Sequence, residues 1–292
     1  MYGVTLVILA AGKGNRFGGL KQLHTFQPQN ATLAEFALWD ALQAGFDHFV
    51  AIVSESTRAY FESVFEKMHI KDRACCVLQK SDERYPNRVK PWGTGHALLS
   101  AVEAIHTPFV IVNGDDFYGR KAYYMAQTFL QNNKKDFALV GYPLKETLSE
   151  HGYVSRGLCL TKKDRVISIE EHTHIETLGN ELVSGVGMSA VKLDPESFVS
   201  MNFWILQHFV LRKLEAKWHY FIEHLKDPQN DEFFLPNVIW DIAHEQEIPI
   251  RLLKNFSDDW LGITYAGDVQ KAQDTLSSKT SLGLYPAQFI GH

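Results

Sequence analysis

A chain of 292 residues, 45% hydrophobic and 22% charged, has an ordinary globular composition and is long enough for a sizeable core. Its net charge of −5, with histidine neutral, argues against nucleic acid as the main partner, because phosphate backbones need a basic face. Three cysteines, Cys75, Cys76 and Cys159, supply neither a disulfide framework nor a C-x-x-C metal spacing. The opening run MYGVTLVILAAG is too short to span a membrane and has no basic leader, so the expectation is a cytoplasmic protein without a membrane partner.

In chain order, TLVILA (5–10) reads as a buried strand that runs into the loop LAAGKGNRFGGLKQL (9–23). LAEFALWDALQAG (33–45) has helical spacing and a terminal glycine. HFVAIVS (48–54) is the next predicted strand, STRAYFESVFEKMH (56–69) a helix, CCVLQK (75–80) a strand and GTGHALLSAVEAI (93–105) a helix. PFVIVNGDD (108–116) is a continuous apolar strand ending in two carboxylates. This βαβα order predicts an α/β protein with a doubly wound, mostly parallel sheet. Ligands of such sheets sit beyond the carboxyl ends of the strands, where the glycine loop and Asp115-Asp116 both fall.

Beyond about residue 137 the rhythm changes to short strands: FALVGYPL, YVSRGLCL and VISIEEH. Residues 198–225 start as a strand and continue as a long amphipathic helix, and EIPIRLLKN (247–255) reads as one more strand. A mixed sheet in this half is expected to lie over the first half and close the cleft. No Pro/Gly/Ser linker intervenes, so residues 1–292 read as one domain with two functional lobes, about 1–136 and 137–292. Hexapeptide repeats of an attached β-helix are absent from the sequence.

The loop's four glycines, Lys13, Arg16 and Lys21 admit three readings. A dinucleotide fingerprint G-x-G-x-x-G fails because Phe17 stands where the third glycine is needed. A P-loop fails because Leu20-Lys21 follows Gly19 in place of Lys-Ser or Lys-Thr. A plain turn has no use for so many cations beside exposed backbone. Glycines let main-chain N–H groups approach a phosphate, Arg16 offers a planar fork, and Lys21 offers a point charge. The loop therefore reads as a polyphosphate grip.

LAAGKGNRFGGLKQLHTF, followed in order by GTGHALL (93–99) and NGDDFYG (113–119), resembles the signature of the sugar-1-phosphate nucleotidylyltransferases, which have a Rossmann-like α/β/α GT-A fold. The likeness to N-acetylglucosamine-1-phosphate uridylyltransferases and glucose-1-phosphate thymidylyltransferases extends over about residues 4–270. It implies an enzyme of nucleotide-sugar biosynthesis that joins an NTP to a sugar 1-phosphate and releases pyrophosphate, with Mg²⁺ as cofactor. Such chemistry rests on positioning and charge neutralisation. By resemblance, Arg16 holds the triphosphate, Lys21 bridges the two reacting phosphates, and the backbone of Leu9, Ala10, Ala11, Gly12 and Gly14 lines the nucleotide.

Asp115, the residue directly after Gly114, matches the family's metal ligand and belongs with Arg16 and Lys21 in the catalytic set. Adjacent strand residues point to opposite faces, so Asp116 is either its supporting partner or, if the strand has already turned, the ligand itself. The late region DDWLGITYAGD (258–268) departs from the family, with Gly262 or Thr264 at the aligned position; Asp259 and Asp268 are the nearby substitutes. Gly93, Thr94 and Gly95 resemble the segment along the base and ribose, and no glutamine precedes them to read the base. Trp92 is open between a core role and the site, and His96 reads as structural.

On the sugar side the resemblance points to Gly152, Glu171, His172 and Asn202, where His172 replaces a lysine that meets the sugar phosphate in related thymidylyltransferases. His172 and His174 alternate along a strand, which suits a polar face more than a metal site lacking a third ligand. Two other functions compete: a cytidylyltransferase acting on an alcohol phosphate such as phosphocholine, and a non-catalytic nucleotide-sugar sensor. The nucleobase, the acceptor and the oligomeric state are not legible in the sequence.

Overall fold

The computed structural model describes residues 3–12, 21–79, 82, 84–179, 181–187, 190–256 and 260–290. From β1 (Thr5–Ala10) the chain reaches α1 (Leu33–Gln43), β2 (His48–Val53), α2 (Glu55–Lys67) and β3 (Ala74–Leu78). Then α3 (Thr94–Ser100) leads to β4 (Phe109–Asn113), a turn at residues 114–115, the two-residue β5 (Asp116–Phe117) and α4 (Arg120–Asn132). The second half supplies β6 (Phe137–Pro143), β7 (Val154–Lys162), β8 (Arg165–Leu178), β9 (Glu181–Ser184), β10 (Val191–Leu193) and β11 (Phe198–Leu206). It closes with α5 (Leu211–Glu223), α6 (Leu235–Glu245), β12 (Ile250–Lys254), β13 (Leu261–Gly262) and α7 (Asp268–Ser281).

Among the described residues, eleven strands form one mixed sheet in the order β10-β9-β8-β12-β6-β11-β4-β1-β2-β3, with β7 pairing β11 and β8. The first-half strands β3, β2, β1 and β4 run parallel, as the βαβα rhythm predicts. Antiparallel pairing enters with β11, which is inserted between β4 and β6. The second half therefore does not merely lie over the first, as the sequence suggested; it continues the same sheet. Short strand-like segments carry no signal of which neighbour they choose, and β11 finds distant ones, Trp204 pairing with both Ile111 of β4 and Leu139 of β6.

Both faces of the sheet are covered, which explains the unbroken apolar run of β1. Leu6, Ile8 and Ala10 enter one core, with α1, α2 and α4, while Val7 enters the other, with α3, α5 and α6. Local chemistry sets the helix starts. Thr32 and Glu35 form a capping box ahead of α1, with Glu35 Oε2 accepting from the Thr32 amide at 2.8 Å. The predicted helix 93–105 is shorter than its spacing suggested: α3 ends at Ser100 and a 3₁₀ turn covers Val102–Ala104. None of the described helices is long and apolar enough to cross a membrane.

Candidate active site

At the carboxyl ends of β1 and β4 the two predicted motifs lie side by side. Leu9 pairs with Asn113 across the parallel ladder, and the Gly114 amide donates to the Leu9 carbonyl at 2.9 Å. A Cβ on Gly114 would lie 3.0 Å from both that oxygen and an Ile8 methyl, a tighter contact than side chains ordinarily make, so glycine eases this approach. Ala10 is buried, whereas Ala11 and Gly12 emerge from the sheet. The Gln22 side-chain amide, from the turn that Lys21 opens, donates to the Gly12 carbonyl at 2.7 Å and closes the base of the glycine loop. Gly14, Arg16, the Lys21 side chain and Asp259 lie outside the described residues.

A cavity of about 1090 Å³ opens beside these strand ends. One wall carries Asn113, Asp115, Asp116, Met201 and Asn202, and a second carries Arg156, Gly157, Ser168, Ile169 and Glu171. A third comes from α6 and its approach, with Phe234, Asn237, Trp240 and Asp241, and Thr94, Trp260 and Thr264 also reach it. Of the residues anticipated from sequence, Thr94, Asp115, Asp116, Glu171 and Asn202 are thus brought together. The chain turns at residues 114–115, and this turn lets adjacent carboxylates face one cavity where an extended strand would oppose them.

Asp116 is buried, and its Oδ2 accepts from Asn113 Nδ2 at 2.9 Å. Asn202 Nδ2 donates to Asn113 Oδ1 at 2.7 Å, and the Trp204 indole donates to Asn202 Oδ1 at 3.1 Å. A chain of amides therefore runs from the buried core to the carboxylate. Asn202 joins it from an unusual backbone: its φ is +63° where β11 slips register against β6 between Ser200 and Trp204. A bulge that re-aims a side chain into a site has this form. Tyr118 lies beneath; burial first and the Asp116 charge second push its phenol well above the usual range.

Residue 262 sits directly opposite Asp116 in the β5–β13 pair. A Cβ there would overlap the Trp260 ring and lie 3.3 Å from Asp116 Oδ1, so no carboxylate enters from this strand. Asp268 does not line the cavity. Its Oδ2 accepts from the Thr264 and Tyr265 amides at 2.9 and 2.7 Å and its Oδ1 from Ser149 at 2.7 Å, so it fastens the turn ahead of α7. Among the described residues no group of three His, Cys, Asp or Glu side chains is arranged for a metal ion. Asp115 and Asp116 nevertheless suit Mg²⁺, which takes one or two carboxylates and completes its shell with phosphate and water oxygens.

The space left by Gly93 and Gly95 is filled by the chain itself. The Gly95 amide donates to the Phe233 carbonyl at 2.8 Å, and a Cβ there would lie 2.7 Å from that oxygen. Only Thr94 of this trio reaches the cavity, and its hydroxyl accepts from the Leu235 amide at 3.0 Å, at the start of α6. Trp92 is buried, with Arg88 over its ring at 3.7 Å. His96 is buried against Trp218, with centroids 4.6 Å apart, and burial pushes its pKa down to about 4. Gly152 and His172 are not among the lining residues: Gly152 packs beneath the Tyr265 ring, and His172 pairs across the ladder with Arg156. His174 stacks on Tyr153 with centroids 3.7 Å apart.

Glu171 lies opposite Gly157, and burial pushes its carboxyl above the ordinary range. Arg156, Asn113, Trp260 and the α6 residues escaped the sequence reading. Asn113 and Arg156 stood inside quoted motifs, but strand alternation alone does not say which residues of a bulged segment face a cavity.

The family model described as nucleotidyl transferase matches residues 5–217. No curated protein sequence matches the chain. Among solved structures, the inositol-1-phosphate CTP transferase from T. maritima superposes with a TM-score of 0.66 at 14% identity, covering 95% of this chain and 96% of that one. A protein assigned as a glucose-1-phosphate thymidylyltransferase from Bacillus anthracis, solved with sucrose, gives 0.62 at 14% identity, covering 93% and 94%. At such identity these likenesses establish a shared fold.

Proposed function

This chain belongs to the nucleotidyl transferase family, and we propose that it moves a nucleoside monophosphate from an NTP to a sugar 1-phosphate, releasing pyrophosphate in a Mg²⁺-dependent reaction. One observation carries the reading: a single cavity places two carboxylates at the end of the strand beside the glycine loop, facing Glu171 and Asn202, which match hydroxyl groups. The first lobe, about residues 1–136, takes the nucleotide, and the second, about 137–292, takes the acceptor within the same domain.

An acceptor phosphate oxygen attacks the α-phosphorus in line, the new P–O bond forms, and the bond to pyrophosphate breaks. This chain contributes position and charge. The backbone of Leu9, Ala10, Ala11, Gly12 and Gly14 lines the nucleotide, with Thr94 at its flank. Arg16 neutralises the leaving pyrophosphate, and Lys21 bridges the reacting phosphates. Asp115 and Asp116 would hold Mg²⁺, which when bound would draw charge from the phosphate oxygens. Lys21→Ala abolishes turnover while leaving NTP binding within about tenfold; a larger loss of NTP affinity assigns Lys21 to the nucleotide alone.

A second reading, cytidylyl transfer to an alcohol phosphate, is favoured by the fold likeness to an inositol-1-phosphate CTP transferase. Pyrophosphate release from each NTP paired with sugar 1-phosphates, inositol 1-phosphate and phosphocholine separates the two. Turnover with CTP and an alcohol phosphate only would replace the first reading by the second. Ligand binding without turnover for any pair would make the protein a sensor.

A further inference from the structure

We propose that Arg156 is the anion anchor of the acceptor subsite, gripping the phosphate of the incoming sugar phosphate; this rests on the function proposed above. Among the described residues lining the cavity, Arg156 is the one cation, against four carboxylates, Asp115, Asp116, Glu171 and Asp241. A cavity that admits a phosphate ester needs a positive group on the acceptor's path, and His172, which stands where related enzymes carry a lysine, is not among the lining residues.

The guanidinium is held in one orientation. Nε donates to Thr147 Oγ1 at 3.2 Å, Nη1 to the Ser155 carbonyl at 2.9 Å, and Nη2 to the carbonyl of the buried Thr147. Its central carbon stands 5.1 Å from the centre of the Trp260 ring. Three of five N–H donors are thereby used, and two are left for a ligand. Such a preset fork matches two phosphate oxygens.

No carboxylate among the described residues lies within ion-pair distance of Arg156. Asp116, Glu171 and Asp268 act on it only through space, and burial lowers its pKa to about 10. Two other bracing arginines have a carboxylate, Arg120 meeting Asp40 at 3.1 Å and Arg251 meeting Asp136 at 2.8 Å, whereas Arg88, outside the cavity lining, donates to main-chain carbonyls of Lys90, Pro91, Pro228 and Asp231. A desolvated cation lacking such a partner is costly unless a ligand neutralises it.

Position selects which anion. Arg156 adjoins Gly157, the residue opposite Glu171, and of the carboxylates that act on it through space Asp116 is the strongest. A sugar phosphate whose hydroxyls meet Glu171 and whose phosphate heads for Asp115 and Asp116 passes its phosphate over Arg156.

The test compares the unmodified protein with Arg156→Gln and Arg156→Lys, measuring KM for acceptor and NTP separately together with the thermal midpoint. Loss of a charge-assisted grip raises acceptor KM about tenfold to a hundredfold in the Gln variant, leaves NTP KM within about threefold, and is partly rescued by Lys. An unchanged acceptor KM, or equal rises for both substrates with a lowered midpoint, overturns the proposal and leaves Arg156 a brace for the Thr147 segment. If the unmodified protein turns over no acceptor, the function reading fails by itself. Arg156 is then judged by the midpoint shift that millimolar inorganic phosphate produces: a shift lost in the Gln variant sustains the anchor, and a shift retained there, or no shift in the unmodified protein, sinks it.

Discussion

The carboxylate of Asp116 owes its orientation to two amides, Asn113 and Asn202, and theirs to the Trp204 indole. Since the turn at residues 114–115 puts Asp115 in the same cavity, both carboxylates are expected to matter. Asp115→Asn and Asp116→Asn should each lower pyrophosphate release by about a hundredfold or more. Initial rates across a Mg²⁺ titration check this; a variant that regains the full rate at saturating Mg²⁺ removes that residue from the set. His96 carries a different expectation. Its pKa falls from 6.5 when unfolded to about 4 in the fold, so the unfolded chain binds the proton first. Stability is then full above about pH 6.5 and declines as pH falls toward about 4, by an amount on the order of 3 kcal/mol. The stability of the native protein relative to His96→Phe, read from urea midpoints, should fall by about that amount as the pH falls across the window; parallel profiles would show that His96 does not contribute.

At the level of elements, the start of α3 and the approach to α6 hold one another. Gly95 donates to Phe233, Phe233 donates to the Trp92 carbonyl, and Thr94 receives the Leu235 amide. The glycines of GTGHALL therefore serve a chain crossing that sets one wall of the cavity. Gly95→Ala should cost about 1–3 kcal/mol, because backbone cannot retreat as a flexible side chain does, and should weaken ligand binding with it. Thermal midpoints with and without NTP measure both effects; an unshifted midpoint would mean that the crossing yields freely. The facing strands are as tightly fitted: β13 places Gly262 directly opposite Asp116 of β5.

For the whole molecule, the position of β11 decides how the halves relate. Lying between β4 and β6, it joins the two halves of the chain through one hydrogen-bonded ladder. Both cores draw on residues from each half. Unfolding is therefore expected as one cooperative transition, with far-UV circular dichroism and the fluorescence of the six tryptophans falling together in denaturant. Two separated transitions would make the lobes independent domains.

The sequence by itself determined the elements whose signal is local. β1, α1, β2, α2, β3 and β4 were legible as apolar runs of strand length alternating with helical spacing, and the glycine loop and NGDD stood at strand ends where a doubly wound sheet collects ligands. Helix α4 has an apolar face that repeats at helical spacing, whereas β9, β10 and β13 are too short to announce themselves. Of the residues lining the cavity, Thr94, Asp115, Asp116, Glu171 and Asn202 belong to motifs legible in the sequence. Only the tertiary structure decided that Asp115 and Asp116 face the same way, that Phe233 fills the space beside Gly95, and that Arg156 lines the cavity without a carboxylate partner. The reason is physical. Periodicity records which face of an element is buried, whereas a turn, a bulge at positive φ or a long-range strand insertion is fixed by neighbours far away in the chain, and those neighbours exist only in the folded molecule.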